Sequence, residues 1–335
     1  MTPDDKSNLI KDLARLQGFD RVGITCPVPL QSVTYYRDWR ARGYAGGMRY
    51  LSENIEIREN PKSLLVGARS IICVAVNYHH IPDSDGEWED VPGNRGTISN
   101  YVRGNDYHVV LWEMLKGLAE RIRERLQETF QYRVCVDTAP VLERELAANA
   151  GLGWIGKNTL LMHQSTGSYL FLGELVTTLE LTPDTPMTDH CGNCTRCIDA
   201  CPTRAIVAPY RLNASRCISY LTVEHRGNIP ADLRKDMGRW VYGCDICQQV
   251  CPYNRQAPET KHPEFRSERL PATIPLLPLI RLRSGEYRRL VRGTAGGRAT
   301  RQMWHRNARI ALGNSADLTP EERAVLNDDT LEDES

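Results

Sequence analysis

Seven of the chain's eleven cysteines fall in two short runs, and their spacing is where its chemistry is most legible. CGNCTRCIDACP sets Cys191, Cys194, Cys197 and Cys201 before Pro202; CDICQQVCP sets Cys244, Cys247 and Cys251 before Pro252. Thiolates donate strongly to iron, and three of them at two-residue gaps wrap one face of a four-iron cube. The fourth cysteine of such a run points away and, where two cubes are present, ligates the other one. With Cys217 completing the second set, the spacing predicts one cluster on Cys191, Cys194, Cys197 and Cys251. The other falls on Cys201, Cys217, Cys244 and Cys247. Tetrahedral zinc also uses paired two-residue gaps, but it gives no reason for two sets that each end Cys-x3-Cys-Pro. The segment ISYLTVEHRGNIPADLRKDMGRWVYG between Cys217 and Cys244 reads as a helical insertion. Cys73 and Cys135 alternate within apparent strands and read as small buried core residues.

Clusters alone would make an electron carrier, which needs far fewer residues than precede them here. Those residues read as helices alternating with strands. Residues 5–19 suit an amphipathic helix with Leu9, Ile10, Leu13 and Leu16 on one side. FDRVGIT suits a strand, SVTYYRDWRARGY a helix, GARSIICVAVNY a buried strand, and 106–130 a long helix. QYRVCVD reads as a strand ending at Asp137. Pro140 suits the first turn of a helix, PVLERELAANAG, that stops at Gly151. SYLFLGELVTTLEL returns to strand. The expected architecture is α+β: an N-terminal α/β sandwich over 1–185, a two-cluster segment over 186–260 and a basic, partly helical segment over 261–335.

Lys+Arg and Asp+Glu both total 42, so global charge names no partner. Locally it does more: residues 255–310 hold 13 Lys/Arg against 4 Asp/Glu, whereas 316–335 hold eight acids and one arginine. The acidic stretch is expected to fray. A hydrophobic share of 41% and a charged share of 25% fit a soluble globular chain. No apolar run is long enough for a transmembrane helix. The polar N-terminus lacks the apolar core of a secretory signal, so a reducing cytosol is expected, where cysteines serve metals or catalysis.

VDTAPVLERELAANAGLGWIGKN is the other informative stretch. Gly151, Gly153 and Gly156 permit close backbone approach to a large flat ligand, though from the residues alone a tight structural turn is the favoured reading. A helix rather than a strand precedes this G-x-G-x-x-G, so it is no dinucleotide fingerprint. Asp137 is either a carboxylate near a helix cap or a proton donor, the latter requiring burial to raise its pKa.

Together, VDTAPVLERELAANAGLGWIGKNTLLM, GSYLFLGELVTTLEL, CGNCTRCIDACPTRAI and CDICQQVCPYN resemble the epoxyqueuosine reductase family. YVRGNDYHVVL and RNARIALGN match it too. The resemblance implies cobalamin in the N-terminal domain beside two [4Fe-4S] clusters. It implies reduction of epoxyqueuosine to queuosine at the tRNA wobble position, by cob(I)alamin fed from the clusters, with Asp137 as proton donor. Carried over residue by residue, cobalamin contacts fall on Arg58, Asn100, Asp137, Gly156, Lys157, Asn158 and Ser168. The implied protein is a cytoplasmic monomer reduced by a donor such as flavodoxin or ferredoxin, with no membrane partner. The alternatives are a reductive dehalogenase-like enzyme acting on a small molecule, or a non-catalytic electron-transfer or cobalamin-handling protein.

Asp106-Tyr107-His108 resembles the D-x-H of proteins that ligate cobalt through histidine, but Leu111 stands where the following glycine should be. His108 is therefore expected to be structural. RQMWHRNARIALGN begins a HEAT-like helix pair whose partners are replaced by SADLTPEERAVLNDDTLEDES, so only a stub is expected. The arginines around Tyr287 and Trp304 suit phosphate contact and base stacking, with Arg204, Arg211, Arg216 and Arg226 extending the patch.

Overall fold

Helices cover both faces of one sheet, and a second, smaller sheet ties the rest of the chain to it. The computed structural model describes residues 1–81 and 93–328. The larger sheet runs Arg21–Thr25, Ser70–Asn77, Leu170–Thr177, Tyr132–Cys135 in spatial order. Every neighbouring pair in it is antiparallel. Ser70–Asn77 is buried along its whole length. Its side chains alternate between two cores. Ile72, Val74 and Val76 join Ile10, Ala14 and Leu115 from the helices Pro3–Leu16 and Tyr107–Leu126. Ile71, Cys73 and Ala75 join Leu146 and Ala147 from the helix Glu143–Asn149. Two covered faces are why the strand SIICVAVN is apolar at nearly every position. Each fully buried aliphatic side chain here contributes on the order of 2 kcal/mol.

The first helix begins earlier than the periodicity suggests, at Pro3, because Thr2 and Asp5 close a capping box. A larger departure follows Asp137. Pro140 is not in a first helical turn; the helix starts at Glu143. Residues 136–142 instead make two successive three-residue turns, from the Thr138 amide to Val136 O and from the Val141 amide to Ala139 O. Those turns use backbone groups that a helix would need.

The second sheet orders Trp240–Tyr242, Arg95–Ile98 and Thr273–Pro275, one strand from each of three well-separated parts of the chain. The helices Leu276–Ile280 and Arg301–Gly313 pack behind it in a core with Ile98 and Tyr242. Trp304 lies in that core, fully buried and stacked on Tyr242 at 5.0 Å between ring centroids. It is therefore unable to stack a base, which corrects the sequence expectation.

The acidic stretch does not fray from residue 316 either. Thr319 caps the helix Pro320–Leu326 in a capping box, Val325 joins the core, and the buried Glu322 accepts the Asn94 amide at 2.9 Å. Residues 329–335 of that stretch lie outside the described residues. Among the described residues, no helix is long and apolar enough to cross a membrane.

Candidate active site

The two cysteine runs fold alike. Each leads into a one-turn helix, Arg196–Asp199 and Ile246–Gln249, and these two helices pack against each other. That packing brings residues from one run beside the other. Burial pushes the Cys197 thiol up to about 11, and the neighbouring charges of Cys251, Cys191 and Cys194 add to the rise. Burial also raises Cys251, with Cys191 and Cys194 beside it. Burial raises Cys244, whose neighbours include Cys217 and Cys201. Cys247 is pushed well up by burial, and the neighbouring charges of Cys217, Cys244, Asp245 and Cys197 add to the rise. All eight are free thiols. Thiols this crowded give up their protons readily only to a metal, whose charge removes the repulsion. Among the described residues, no three His, Cys, Asp or Glu side chains converge on a point as a single ion requires.

Asp137 sits in the irregular loop after Tyr132–Cys135, with φ at +48°. Aspartate is among the few residues that tolerate this left-handed region, and a strained residue held in place commonly marks a site. It does not cap the following helix, whose N-cap is Leu142. Its Oδ2 lies 3.2 Å from His108 Nε2, while His108 Nδ1 lies 2.7 Å from Asp106 Oδ1. Burial opposes charge on His108, but its hydrogen bonds to the two carboxylates outweigh that and raise it to about 9. Both ring nitrogens are thus engaged by carboxylates. His108 is more than the structural residue expected, because it holds the acid.

Glu143 adjoins the same loop. Burial pushes its carboxyl up, Asp137 adds to this, and Arg144, the Asp137 amide and His108 oppose it. Glu174, fully buried on Leu170–Thr177, accepts no hydrogen bond among the described residues at either oxygen. Sequence reading missed both glutamates and the role of His108. The D-x-H was the only local signal, since 31 residues separate Glu143 from Glu174.

The residues expected to touch cobalamin sit around this loop and the cysteine runs. Arg58 is buried and donates to Val141 O at 3.4 Å and Tyr50 O at 3.2 Å, gripping the Asp137 loop from behind. The Asn100 amide donates to Asp245 Oδ2 at 2.7 Å, next to Cys244. Lys157 Nζ donates to the carbonyls of Gly192 and Cys194, joining the glycine stretch to the first cysteine run. Asn158 is buried and its Oδ1 accepts the Leu160 amide. Ser168 Oγ accepts from Gln248 Nε2 at 3.1 Å and Asn254 Nδ2 at 2.9 Å, which leaves its own proton to donate. The glycines serve the protein's own backbone. A Cβ on Gly153 would stand 2.0 Å from Met162 O, and one on Gly156 2.7 Å from Met162 Cγ. The tight-turn reading therefore accounts for both.

A further wall comes from the basic segment. Arg298 pairs with Glu224 through two hydrogen bonds and lies over the Tyr50 ring at 5.4 Å. Burial pushes the Tyr50 hydroxyl up to about 12, with the charges of Glu224 and Asp137 contributing to the rise. Other arginines are spent on structure. Arg306 donates to His225 O, Gly227 O and Leu221 O. Arg309 donates to the carbonyls that end Pro320–Leu326. Arg281 pairs with Glu321, Arg211 with Asp38, and Arg216 and Arg226 bond within the fold. Arg288, Arg289 and Arg292 remain exposed.

Two family models match the chain. One, described as a 4Fe-4S double cluster binding domain, covers residues 190–254. The other, described as epoxyqueuosine reductase QueG, DUF1730, covers residues 58–138. The epoxyqueuosine reductase of Xanthomonas campestris is 43% identical over 314 residues, which is 93% of this chain and 88% of the relative. That of Pseudomonas aeruginosa is 39% identical over 326 residues, 96% of this chain and 89% of the relative. A crystal structure of epoxyqueuosine reductase with a tRNA-Tyr epoxyqueuosine-modified tRNA stem loop matches with a TM-score of 0.83 and 31% identity. The match covers 95% of this chain and 88% of that one. The chain thus carries a double iron–sulfur cluster domain joined to the fold of these enzymes.

Proposed function

Because the chain belongs to the epoxyqueuosine reductase family, we propose that it reduces the epoxide of epoxyqueuosine in a tRNA anticodon, giving queuosine. The observation that carries the reading is Asp137: a carboxyl on a strained loop, held by His108, in the same unit as the eight thiols. The relatives' identity favours it over a small-molecule dehalogenase-like reductase or a plain electron carrier.

Cobalamin is the proposed second cofactor, and two features of the site fit it. Arg58 Nε and Trp154 Nε1 are buried donors without partners among the described residues, and a corrinoid carries amide and phosphate acceptors. Ser168 has a hydroxyl proton to give to the same kind of group. When bound, the clusters supply electrons singly and the corrinoid supplies reduced cobalt at the epoxide carbon. The chain's own residues do the rest. Arg58 fixes the loop, His108 holds Asp137 Oδ2, and Asp137 gives the epoxide oxygen its proton as the C–O bond breaks. Cluster ligation is proposed as the spacing predicts, on Cys191, Cys194, Cys197 and Cys251, and on Cys201, Cys217, Cys244 and Cys247. Asn100, Gly156, Lys157 and Asn158 complete the proposed cofactor surroundings. We further propose a cytoplasmic monomer, reduced by a flavodoxin or ferredoxin.

The test is anaerobic reconstitution with iron, sulfide and cobalamin, followed by assay on epoxyqueuosine-containing tRNA. Conversion to queuosine is expected. Protein with full iron that neither retains cobalamin nor converts the tRNA would overturn the reading.

Exposed Arg288, Arg289 and Arg292 are the proposed phosphate contacts. Reversing the charge of Arg288 and Arg289 together should weaken tRNA binding and flatten its salt dependence by about two phosphate contacts. A double variant that binds with the parent's salt slope would remove this surface from the RNA interface.

A further inference from the structure

Lys157 is among the residues that the family resemblance places at cobalamin, yet its side chain is engaged elsewhere. It stands in the turn of a small hairpin between Trp154–Ile155 and Leu161–Met162, in the N-terminal unit. That turn is fixed in place. The Tyr210 amide donates to Lys157 O at 3.1 Å, and the Thr159 amide to Gly156 O at 2.8 Å. From this base Nζ donates to the carbonyl oxygen of Gly192 and, at 3.0 Å, to that of Cys194. Both carbonyls belong to the first cysteine run, CGNCTRC.

We propose that Lys157 serves the cluster on Cys191, Cys194, Cys197 and Cys251: it orients that cluster's ligand loop and, through its charge, raises the cluster's reduction potential. The proposal rests on the cluster allotment given above. Lys157 acts on the cluster through the loop, as a positioning residue.

The orientation follows from peptide geometry. The C=O and N–H of one planar trans peptide point in opposite directions. An ammonium that holds the carbonyls of Gly192 and Cys194 therefore turns the amides of Asn193 and Thr195 away from itself. Neither amide donates to a backbone carbonyl among the described residues. The Cys194 amide between them closes the loop's own turn onto Cys191 O at 3.0 Å. Amides presented together in a loop make a concave donor surface for an anion, and hydrogen bonds to the sulfurs help to set a cluster's potential.

The charge acts in the same direction. Each electron taken up adds negative charge to a core already held by thiolates, and a cation beside the ligand loop offsets it. The Asp189 carboxylate on the same run opposes this. Its Oδ1 accepts the Cys191 amide at 2.6 Å, and its Oδ2 accepts the Tyr210 hydroxyl. Asp189 thus holds the loop at Cys191 and Lys157 holds it at Cys194. Neutralising one and then the other must move the potential in opposite directions.

The experiment uses the reconstituted holoenzyme, with the midpoint potential of each cluster read by electron paramagnetic resonance during a redox titration. The first cluster's signal is the one missing from Cys251→Ala. Lys157→Met keeps the side chain's bulk and removes its charge. We expect reduction of the first cluster to become about tenfold less favourable, a fall of about 59 mV for one electron. The second cluster's potential should move less, and iron and cobalamin contents should match the parent. Lys157→Arg should restore the parent potential, and Asp189→Asn should raise it. In the parent, pulsed resonance on protein labelled at asparagine and threonine nitrogen should show amides coupled to the first cluster. Absence of that coupling would overturn the inference without any variant having to fold. Cobalamin lost from Lys157→Met with both potentials unmoved would also overturn it and return the lysine to the corrinoid. A parent that takes up no iron would overturn this inference together with the reading it rests on, whereas intact clusters with unmoved potentials overturn the inference alone.

Discussion

Replacing Asp137 by Asn lowers turnover of epoxyqueuosine-containing tRNA about 10²–10⁴-fold, the usual worth of a positioned acid, and leaves the fold intact. Both halves follow from the loop. Asparagine tolerates the left-handed region as well as aspartate does, so φ of +48° is no obstacle. The amide oxygen can still face His108, but it carries no charge. His108 therefore loses one of the two carboxylates that raise it, and its pKa should drop from about 9. Asp137→Ala makes a useful contrast. It removes the acid and also forces alanine into strained backbone, at a cost of about 1–3 kcal/mol. Thermal denaturation of the two variants should separate the effects: unchanged for Asn, lowered for Ala, with turnover lost in both. An Asn variant that turns over normally would falsify the assignment of the donor.

The second large effect concerns the crossing of the two cysteine runs. Replacing Cys251 or Cys201 by Ala should each abolish reduction and lower iron from about eight to about four per chain, since each removes a corner of one cube. The informative comparison is between variants. Cys251 belongs by sequence with Cys244 and Cys247, yet it adjoins Cys191, Cys194 and Cys197 in space. Its variant should therefore leave the same residual electron paramagnetic resonance signal as Cys191→Ala. Cys201→Ala should leave the same signal as Cys244→Ala. If Cys251→Ala instead matches Cys244→Ala, each run closes its own cluster and the allotment is wrong.

Parts of this protein were legible because they are local. The two-residue gaps mark the cysteines as ligands, and a gap is a property of the chain itself. SIICVAVN declared a buried strand through its β-branched apolar run, whereas the Thr2–Asp5 box that starts the first helix at Pro3 went unread. The loop at Asp137 misled for a local reason as well. Pro140 and Glu143 look like the opening of one helix, and only the turns at Thr138 and Val141 show that it opens three residues after the proline.

The arginine-rich segment shows the limit from the other side. Composition counted an excess of positive charge, but it did not tell Arg306, which holds three backbone carbonyls, from Arg288, which faces solvent. Nor did it show Trp304 stacked inside on Tyr242. The sequence by itself determined the ligand chemistry, the element types and the family to which they belong. Only the tertiary structure decided which carboxyls meet: Asp106 and Asp137 reach the same His108 ring from a helix cap and a loop. A carboxyl's readiness to hold or give a proton depends on burial and on neighbours brought in from elsewhere in the chain. Those quantities exist only once the chain has closed around them.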